Sequence, residues 1–233
     1  MTSYAIPIWP VPSVPVAGRR DRFPVRHVYC IGRNYAAHAR EMGGDPEREP
    51  PFFFTKPAYS VVPGGGPIAY PPRTADLHHE IEMVVAIGVA GAAIPPERAR
   101  EHIFGYCVGI DLTRRDLQNQ MRERKRPWDV GKSFAMAAPI GAVHPVAGVG
   151  HPRAGAIRFA VNGETRQSGD LANMIWSVED LLAELSTLYT LAPGDLIFTG
   201  TPAGVGALVP GDRCEGAIEG LGTLAIEITP PGL

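Results

Sequence analysis

The sequence predicts a mixed β fold with short helices (α+β) in a single domain, and three observations carry that expectation. First, 27 Gly and 24 Pro are spread among apolar runs rather than gathered in one low-complexity segment, the pattern of many short strands joined by turns. Second, Asn162-Gly163 separates two strand-like runs, 157–161 and 164–167, and Asn-Gly is the strongest short hairpin signal because both residues accept positive φ. Third, 233 residues, 45% hydrophobic and 20% charged, suffice for one packed core without requiring a second.

Taken in order, residues 1–25 read as an extended Pro-rich N-terminal arm ahead of a domain over 26–233. Pro7, Pro10, Pro12 and Pro15 fix φ and lack N–H donors, which disfavours helix and central strand. The apolar Ile6, Ile8, Trp9 and Val11 leave open whether the arm frays or packs on its own domain or a second subunit. Residues 26–31 read as a strand, followed by Gly32 and a short helix over 34–42 that Gly43 and Gly44 stop. Strands are expected at 52–55, 80–87 and 106–111, with a proline-initiated helical turn at 96–103. Thr113 followed by Asp116 reads as a capping box opening a helix to about Arg126, where Pro127 ends it. Ser177 and Asp180 repeat the signature; Val178, Leu181, Leu182, Leu185 and Leu188 then fall at amphipathic spacing, so this helix covers a sheet. Pro193-Gly194 turns into a strand over 195–199 that enters the Gly-rich loop 200–206. There is no internal repeat.

Composition excludes several function classes. A formal net charge of −2 gives no basic field, and the basic stretch from Arg122 to Arg126 includes Glu123, so nucleic acid is not an expected partner. Cys30, Cys107 and Cys214 are far apart, which fits neither a disulfide framework nor a zinc site and suits a reducing cytoplasm. The longest uncharged apolar run, 83–94, is too short to span a bilayer, and no basic segment precedes an apolar one at the N-terminus. No membrane partner or export is expected.

Chemistry concentrates in two places. Glu80 and Glu82 sit two apart in an expected strand and share a face, and Asp111 ends another strand. Brought together, such carboxylates repel by roughly 4 kcal/mol per close pair at an effective dielectric of about 20. A divalent cation resolves that conflict; all-oxygen ligation favours Mg²⁺, Mn²⁺ or Ca²⁺, and three protein ligands leave room for water and substrate. An E-x-E on a strand is, however, more often a solvated face. His38 and Glu41 are neighbours on the short helix, where a carboxylate can orient an imidazole to activate water; the same spacing also occurs in plain surface contacts. His27, His102, His144 and His151 fall near turns or element ends and carry no assigned role, while His78 could support the carboxylates if its strand begins early.

A set of ordered motifs goes further: Gly32-Arg33-Asn34-Tyr35 before His38 and Glu41; His79-Glu80-Ile81-Glu82; Asp111 with Thr113, Asp116 and Gln118; Gly131-Lys132-Ser133-Phe134; and Thr199-Gly200-Thr201-Pro202 with Gly204-Val205-Gly206. Together, from about Val28 to Ile228, they resemble the fumarylacetoacetate hydrolase family. Within it the chain is similar to the compact acylpyruvases. The Pro-rich arm and Phe23-Pro24-Val25-Arg26 look like the bacterial members that hydrolyse fumarylpyruvate in gentisate-type aromatic catabolism.

The resemblance implies a β-roll, a homodimer, and Mg²⁺ or Mn²⁺ held by Glu80, Glu82 and Asp111. It carries over His38 and Glu41 as a water-activating dyad, Lys132 as a catalytic cation, and Arg33, Arg115, Gln118 and Thr201 as substrate contacts. Lys56 matches a recurrent, partly structural position, and Arg33 could instead tie down the short helix. The implied reaction is hydrolysis of a carbon–carbon bond in a small acylpyruvate, fumarylpyruvate giving fumarate and pyruvate, with Arg33, Arg40 or Arg115 binding the distal carboxylate. The same metal site could serve oxaloacetate decarboxylation or diacid isomerisation, or merely bind diacids in a non-enzymatic domain.

Overall fold

A computed structural model describes residues 4–41 and 50–232, apart from the side chains of Ala39 and Glu41. The expected mixed β architecture with short helices is what it shows. The largest sheet has eight strands. Along its main path run Phe52–Lys56, His27–Gly32, Asp195–Phe198, Ile81–Ile87, Ile103–Ile110, Ala138–Ile140 and Val61–Pro63, and His144–Pro145 pairs with Ile103–Ile110. A five-stranded sheet (Glu164–Asp170, Ala156–Val161, Arg213–Ile218, Gly222–Thr229, Gly66–Ala69) packs beside it. The third sheet is small: Thr113–Arg114, Leu77–His79 and Gly206–Leu208.

Ile81–Ile87 is buried at every position. Met83, Val85 and Ile87 face a core shared with Phe159, Leu181 and Leu185, while Val84 and Ala86 face a second core with Val28, Leu196 and Phe198. A strand buried on both faces has no polar alternation, so its sequence reads as a continuous apolar run.

Several expectations hold in detail. Asn162 and Gly163 adopt φ of 53° and 83° between the paired strands Ala156–Val161 and Glu164–Asp170. Ser177 and Asp180 form a reciprocal capping box on the helix Val178–Leu188, with Val178, Leu181, Leu182 and Leu185 buried. Leu188 departs from the expected stripe: it falls in the last turn and is 60% exposed.

Others are corrected. Thr113 does not cap the helix that follows: it belongs to the short strand Thr113–Arg114, and the helix Arg115–Glu123 has no side-chain cap. The reason is competition. The Thr113 hydroxyl accepts from Lys132 Nζ at 2.6 Å, and Asp116 accepts from the Thr74 hydroxyl at 2.6 Å and the Ala75 amide at 3.0 Å. The strand expected over 80–87 is broken at Glu80 into Leu77–His79 and Ile81–Ile87. Within the arm, Ser13–Pro15 pairs with Arg22–Pro24 in a two-stranded ribbon, an edge setting in which proline's missing donor is tolerated; it buries Val14 and Phe23, and the Pro15 carbonyl accepts from the Val143 amide at 2.8 Å. The expected helix end at Met42, with Gly43 and Gly44, lies outside the described residues.

The topology places the site at a seam. Three chain segments pass there between the eight-stranded sheet and the three-stranded one. The first crosses at Glu80, the second at Asp111-Leu112, and the third through the loop from Thr199 to Val205.

Candidate metal centre and active site

The strand break at Glu80 is what lets Glu80 and Glu82 meet Asp111. Ile81 is opposite Ile110 in the ladder, and the Asp111 amide donates to the Glu80 carbonyl at 2.8 Å. Each of the three residues offers one ligand atom, all within 4.8 Å of one another, and all three residues are buried.

Three cations surround these carboxylates. Lys132 Nζ donates to Glu80 Oε2 at 2.9 Å, Asp111 Oδ2 at 2.7 Å and Thr113 Oγ1 at 2.6 Å, which engages all three of its protons. Arg115 donates to Glu80 Oε1 and to Gln118 Oε1. Lys56, fully buried, donates to the carbonyls of Leu112 and Lys132. Its Nζ also lies 2.8 Å from Asp111 Oδ1, but outside hydrogen-bond geometry, which leaves that oxygen without a hydrogen-bond partner.

Lys132 reaches this position because its short helix, Asp129–Lys132, lies flat on Arg115–Glu123. A Cβ on Gly131 would stand 2.9 Å from the backbone nitrogen of Gln118, so any larger residue would push the two helices apart.

The electrostatics are uneven. Burial raises the Glu80 carboxyl, but Lys132 and Arg115 outweigh it and hold Glu80 well below the usual carboxylate range. Glu82 goes the other way: burial, then Asp111 and Glu80, push it well above its ordinary value, although the Gly200 amide donates to its Oε2 at 2.6 Å. Burial works against the Lys132 ammonium, yet Asp111 and Glu80 keep its pKa raised. A carboxyl forced towards its neutral form, beside an Asp111 oxygen with no hydrogen-bond partner, is what a divalent cation would relieve, and the all-oxygen donor set suits a hard ion.

The cavity over this cluster, about 420 Å³ with its open mouth, is lined by His38, Arg33, Arg115, Gln118, Lys132 and Thr201 besides Glu80 and Glu82. Phe54, Arg122 and Trp128 complete its mouth. His38 reaches it from the helix Ala36–Glu41. The approach to that helix is anchored by the fully buried Asn34, which donates to the carbonyls of Trp176 (3.0 Å) and Thr199 (2.8 Å) and accepts from the Trp176 amide at 2.8 Å. Glu41 ends the same helix, but its side chain lies outside the described residues. Arg40 is exposed and does not line the cavity. His78 contacts Arg115 Nε at 3.4 Å and Asp76 at 2.9 Å, so it supports the arginine that holds Glu80.

Two residues escaped the sequence reading. Arg122 had an available signal, since Arg115, Gln118 and Arg122 are spaced i, i+3 and i+7 and therefore lie along one helix face. Gln167 had none. Its contact with His79, a residue of the motif that holds Glu80 and Glu82, runs from Nδ1 to Oε1 at 2.8 Å and joins segments 88 residues apart. Burial draws the His79 imidazole down to about 4, against the opposing effect of its hydrogen bond to Gln167 Oε1.

Comparison with known proteins agrees with this geometry. Residues 27–229 match the family model described as fumarylacetoacetate (FAA) hydrolase, C-terminal. A fumarylpyruvate hydrolase of Ralstonia sp is 45% identical over 186 residues, covering 80% of this chain and 96% of that one. The human mitochondrial oxaloacetate tautomerase is 37% identical over 206 residues, 88% of this chain and 93% of that one. The crystal structure of Pseudomonas aeruginosa fumarylpyruvate hydrolase in complex with Mn²⁺ and pyruvate superposes with a TM-score of 0.96 at 53% identity, covering 98% of this chain and 100% of that one.

Proposed function

The chain belongs to the fumarylacetoacetate hydrolase family, and on that premise we propose that it is a metal-dependent acylpyruvate hydrolase whose substrate is fumarylpyruvate, cleaved to fumarate and pyruvate. The observation that carries the reading is the convergence of Glu80, Glu82 and Asp111 in one buried cluster beneath a cavity that His38 also lines. Two of the proteins named above, a fumarylpyruvate hydrolase and one holding Mn²⁺ and pyruvate, support it.

Glu80, Glu82 and Asp111 would hold the Mg²⁺ or Mn²⁺. When bound, that ion supplies Lewis-acid stabilisation for the keto-acid oxygens and for the enolate that departs. The protein's own groups do the rest. His38, with Glu41 orienting it, takes a proton from water, and the hydroxide adds to the acyl carbonyl carbon. The bond from that carbon to C3 of the pyruvyl unit breaks, its electron pair passes to C3, and the proton on His38 is returned there, so that one water is consumed per turnover. Lys132 and Arg115, held against Glu80 and Asp111, place fixed positive charge beside the developing enolate.

Charge counting favours a dianion. Among the described residues three buried carboxylates face Lys56, Lys132 and Arg115, so this inner cluster is formally neutral; a divalent ion would add two positive charges and the lining Arg33 and Arg122 add more, which suits a dianionic acylpyruvate. The distal carboxylate falls to Arg122. Arg115 is held deep in the cluster by Glu80 and Gln118, whereas Arg122 continues the same helix face to the cavity mouth, about 6 Å beyond Gln118 at 1.5 Å per residue. We also take residues 26–233 as the catalytic domain and 1–25 as an arm whose exposed Ile6, Ile8 and Trp9 meet a second copy in a homodimer. The enzyme acts in the cytoplasm, in gentisate-type catabolism.

A second reading, oxaloacetate tautomerisation or decarboxylation at the same centre, is favoured by the likeness to the human tautomerase. An ultraviolet assay with fumarylpyruvate, acetylpyruvate and oxaloacetate, with Mg²⁺, Mn²⁺ or excess chelator, separates the two. Fast fumarylpyruvate loss that needs the metal and vanishes in His38→Ala is the expected result; turnover of oxaloacetate alone would overturn the hydrolase reading.

A further inference from the structure

We infer that Gln167 is a positioning residue that turns the hydroxyl proton of Thr201 into the cavity, making Thr201 an obligatory donor to the carboxylate of the bound keto acid. The inference rests on the acylpyruvate reading for its substrate but on geometry for its mechanism.

Gln167, on the strand Glu164–Asp170, is fully buried and makes four polar contacts through one amide. Its Oε1 accepts from the Ile81 amide at 3.2 Å and meets His79 Nδ1 at 2.8 Å. Its Nε2 donates to the Pro202 carbonyl and to Thr201 Oγ1, both at 2.8 Å. Two of these partners are backbone groups of fixed polarity: Ile81 N–H can only donate and the Pro202 carbonyl can only accept. They exclude the flipped amide, so the assignment of oxygen and nitrogen follows from chemistry.

Two consequences follow. His79 carries its proton on Nδ1, because the atom facing it is an acceptor. Thr201 Oγ1 accepts, on one of its two lone pairs, from an N–H that cannot accept in return, so its own proton points away from Gln167. Among the described residues no acceptor takes it. Thr201 is buried and lines the cavity beside Glu80, Glu82 and Lys132, so the cavity is where the proton can be directed. A hydroxyl donor there binds a carboxylate oxygen more strongly than a neutral one.

The loop bearing Thr201 is pressed onto the strand bearing Gln167. Gly204 adopts φ of +95°, and a Cβ there would stand 2.2 Å from the Arg166 carbonyl oxygen. Because Ile81 lies between Glu80 and Glu82, a single amide sets the strand of the metal ligands and the polarity of the substrate contact together.

The test measures pyruvate affinity of the Mg²⁺-loaded protein by calorimetry, with the KM for fumarylpyruvate, in Thr201→Val, Gln167→Glu and the double variant. The carboxylate that Gln167→Glu introduces can still accept from Ile81 and His79 but draws the Thr201 proton towards itself. Gln167→Met, uncharged and of similar length, serves if the carboxylate impairs folding. Losing a hydrogen bond to a charged group costs roughly 10- to 100-fold in affinity. Each single variant is expected to weaken pyruvate by that factor with KM rising in step, and the double variant to be no weaker than the poorer single. Losses that multiply in the double variant, or pyruvate affinity retained in both Gln167 variants, overturn the proposal. A wild type that turns over no acylpyruvate sinks the hydrolase reading, and non-additive pyruvate binding would then still support the relay.

Discussion

Replacing Lys132 with methionine removes a buried ammonium while keeping most of its volume, and it tests whether the carboxylate cluster depends on that charge. The ammonium stands 2.9 Å from Glu80 and 2.7 Å from Asp111, an attraction of about 6 kcal/mol for each pair at an effective dielectric of about 20. Most of that is offset by desolvation, and breaking such a buried pair typically costs about 3–5 kcal/mol. Glu80 keeps Arg115 and Asp111 keeps Lys56, so the loss belongs at the lower end, about 3 kcal/mol. In a chain of this size that lowers Tm by about 6–12 °C. Calorimetry in excess chelator should show the drop, and saturating Mn²⁺ should recover part of it, because a divalent ion neutralises the same carboxylates. A variant that melts with the wild type in chelator, or that gains no more from Mn²⁺ than the wild type does, would refute the charge balance derived for this site.

Arg122→Ala should lower kcat/KM for fumarylpyruvate by roughly 10- to 100-fold, the value of a charge-assisted hydrogen bond. Acetylpyruvate, which lacks the distal carboxylate, should be turned over as before; equal losses on both substrates would remove Arg122 from that role. Acid stability should depend on Glu179. Burial raises this carboxyl, but hydrogen bonds from Arg153, the backbone and Arg100 bring it down to about 2. A carboxyl depressed in the folded state stabilises the protein above its unfolded value near 4.5, and that stability is lost as pH falls from there towards 2. The exposure of both arginines screens the interaction and limits the effect to about 1 kcal/mol, so Glu179→Gln should flatten the Tm–pH curve over that interval and leave it unchanged at pH 7 to 8 apart from a constant offset. Leu185→Ala, in the core, should cost about 2–5 kcal/mol, whereas exposed Leu188→Ala should stay within about 0.5 kcal/mol in denaturant titrations.

What the sequence disclosed was what local chemistry encodes. The Asn162-Gly163 hairpin and the Ser177–Asp180 capping box each depend on neighbours within a few residues and are found as read, and Val178, Leu181, Leu182 and Leu185 of the expected stripe are buried. Thr113 and Asp116 carry the same local signature and do not use it, because Lys132 and Thr74, distant in sequence, bind those side chains instead. Leu188 fits the apolar period but, in the last turn of the helix, is 60% exposed. The site divides in the same way. The carboxylates, His38 and Lys132 could be named from motif and residue type, since few side chains serve such chemistry. Their convergence could not, because it arises where three separate segments cross between two sheets. Gln167 and Arg122 acquire their positions from that crossing and from one helix face. The sequence by itself determined which groups are available to bind a cation, move a proton and fold locally. Only the tertiary structure decided which charges neutralise one another and which way a hydroxyl points, because burial and long-range pairing set both.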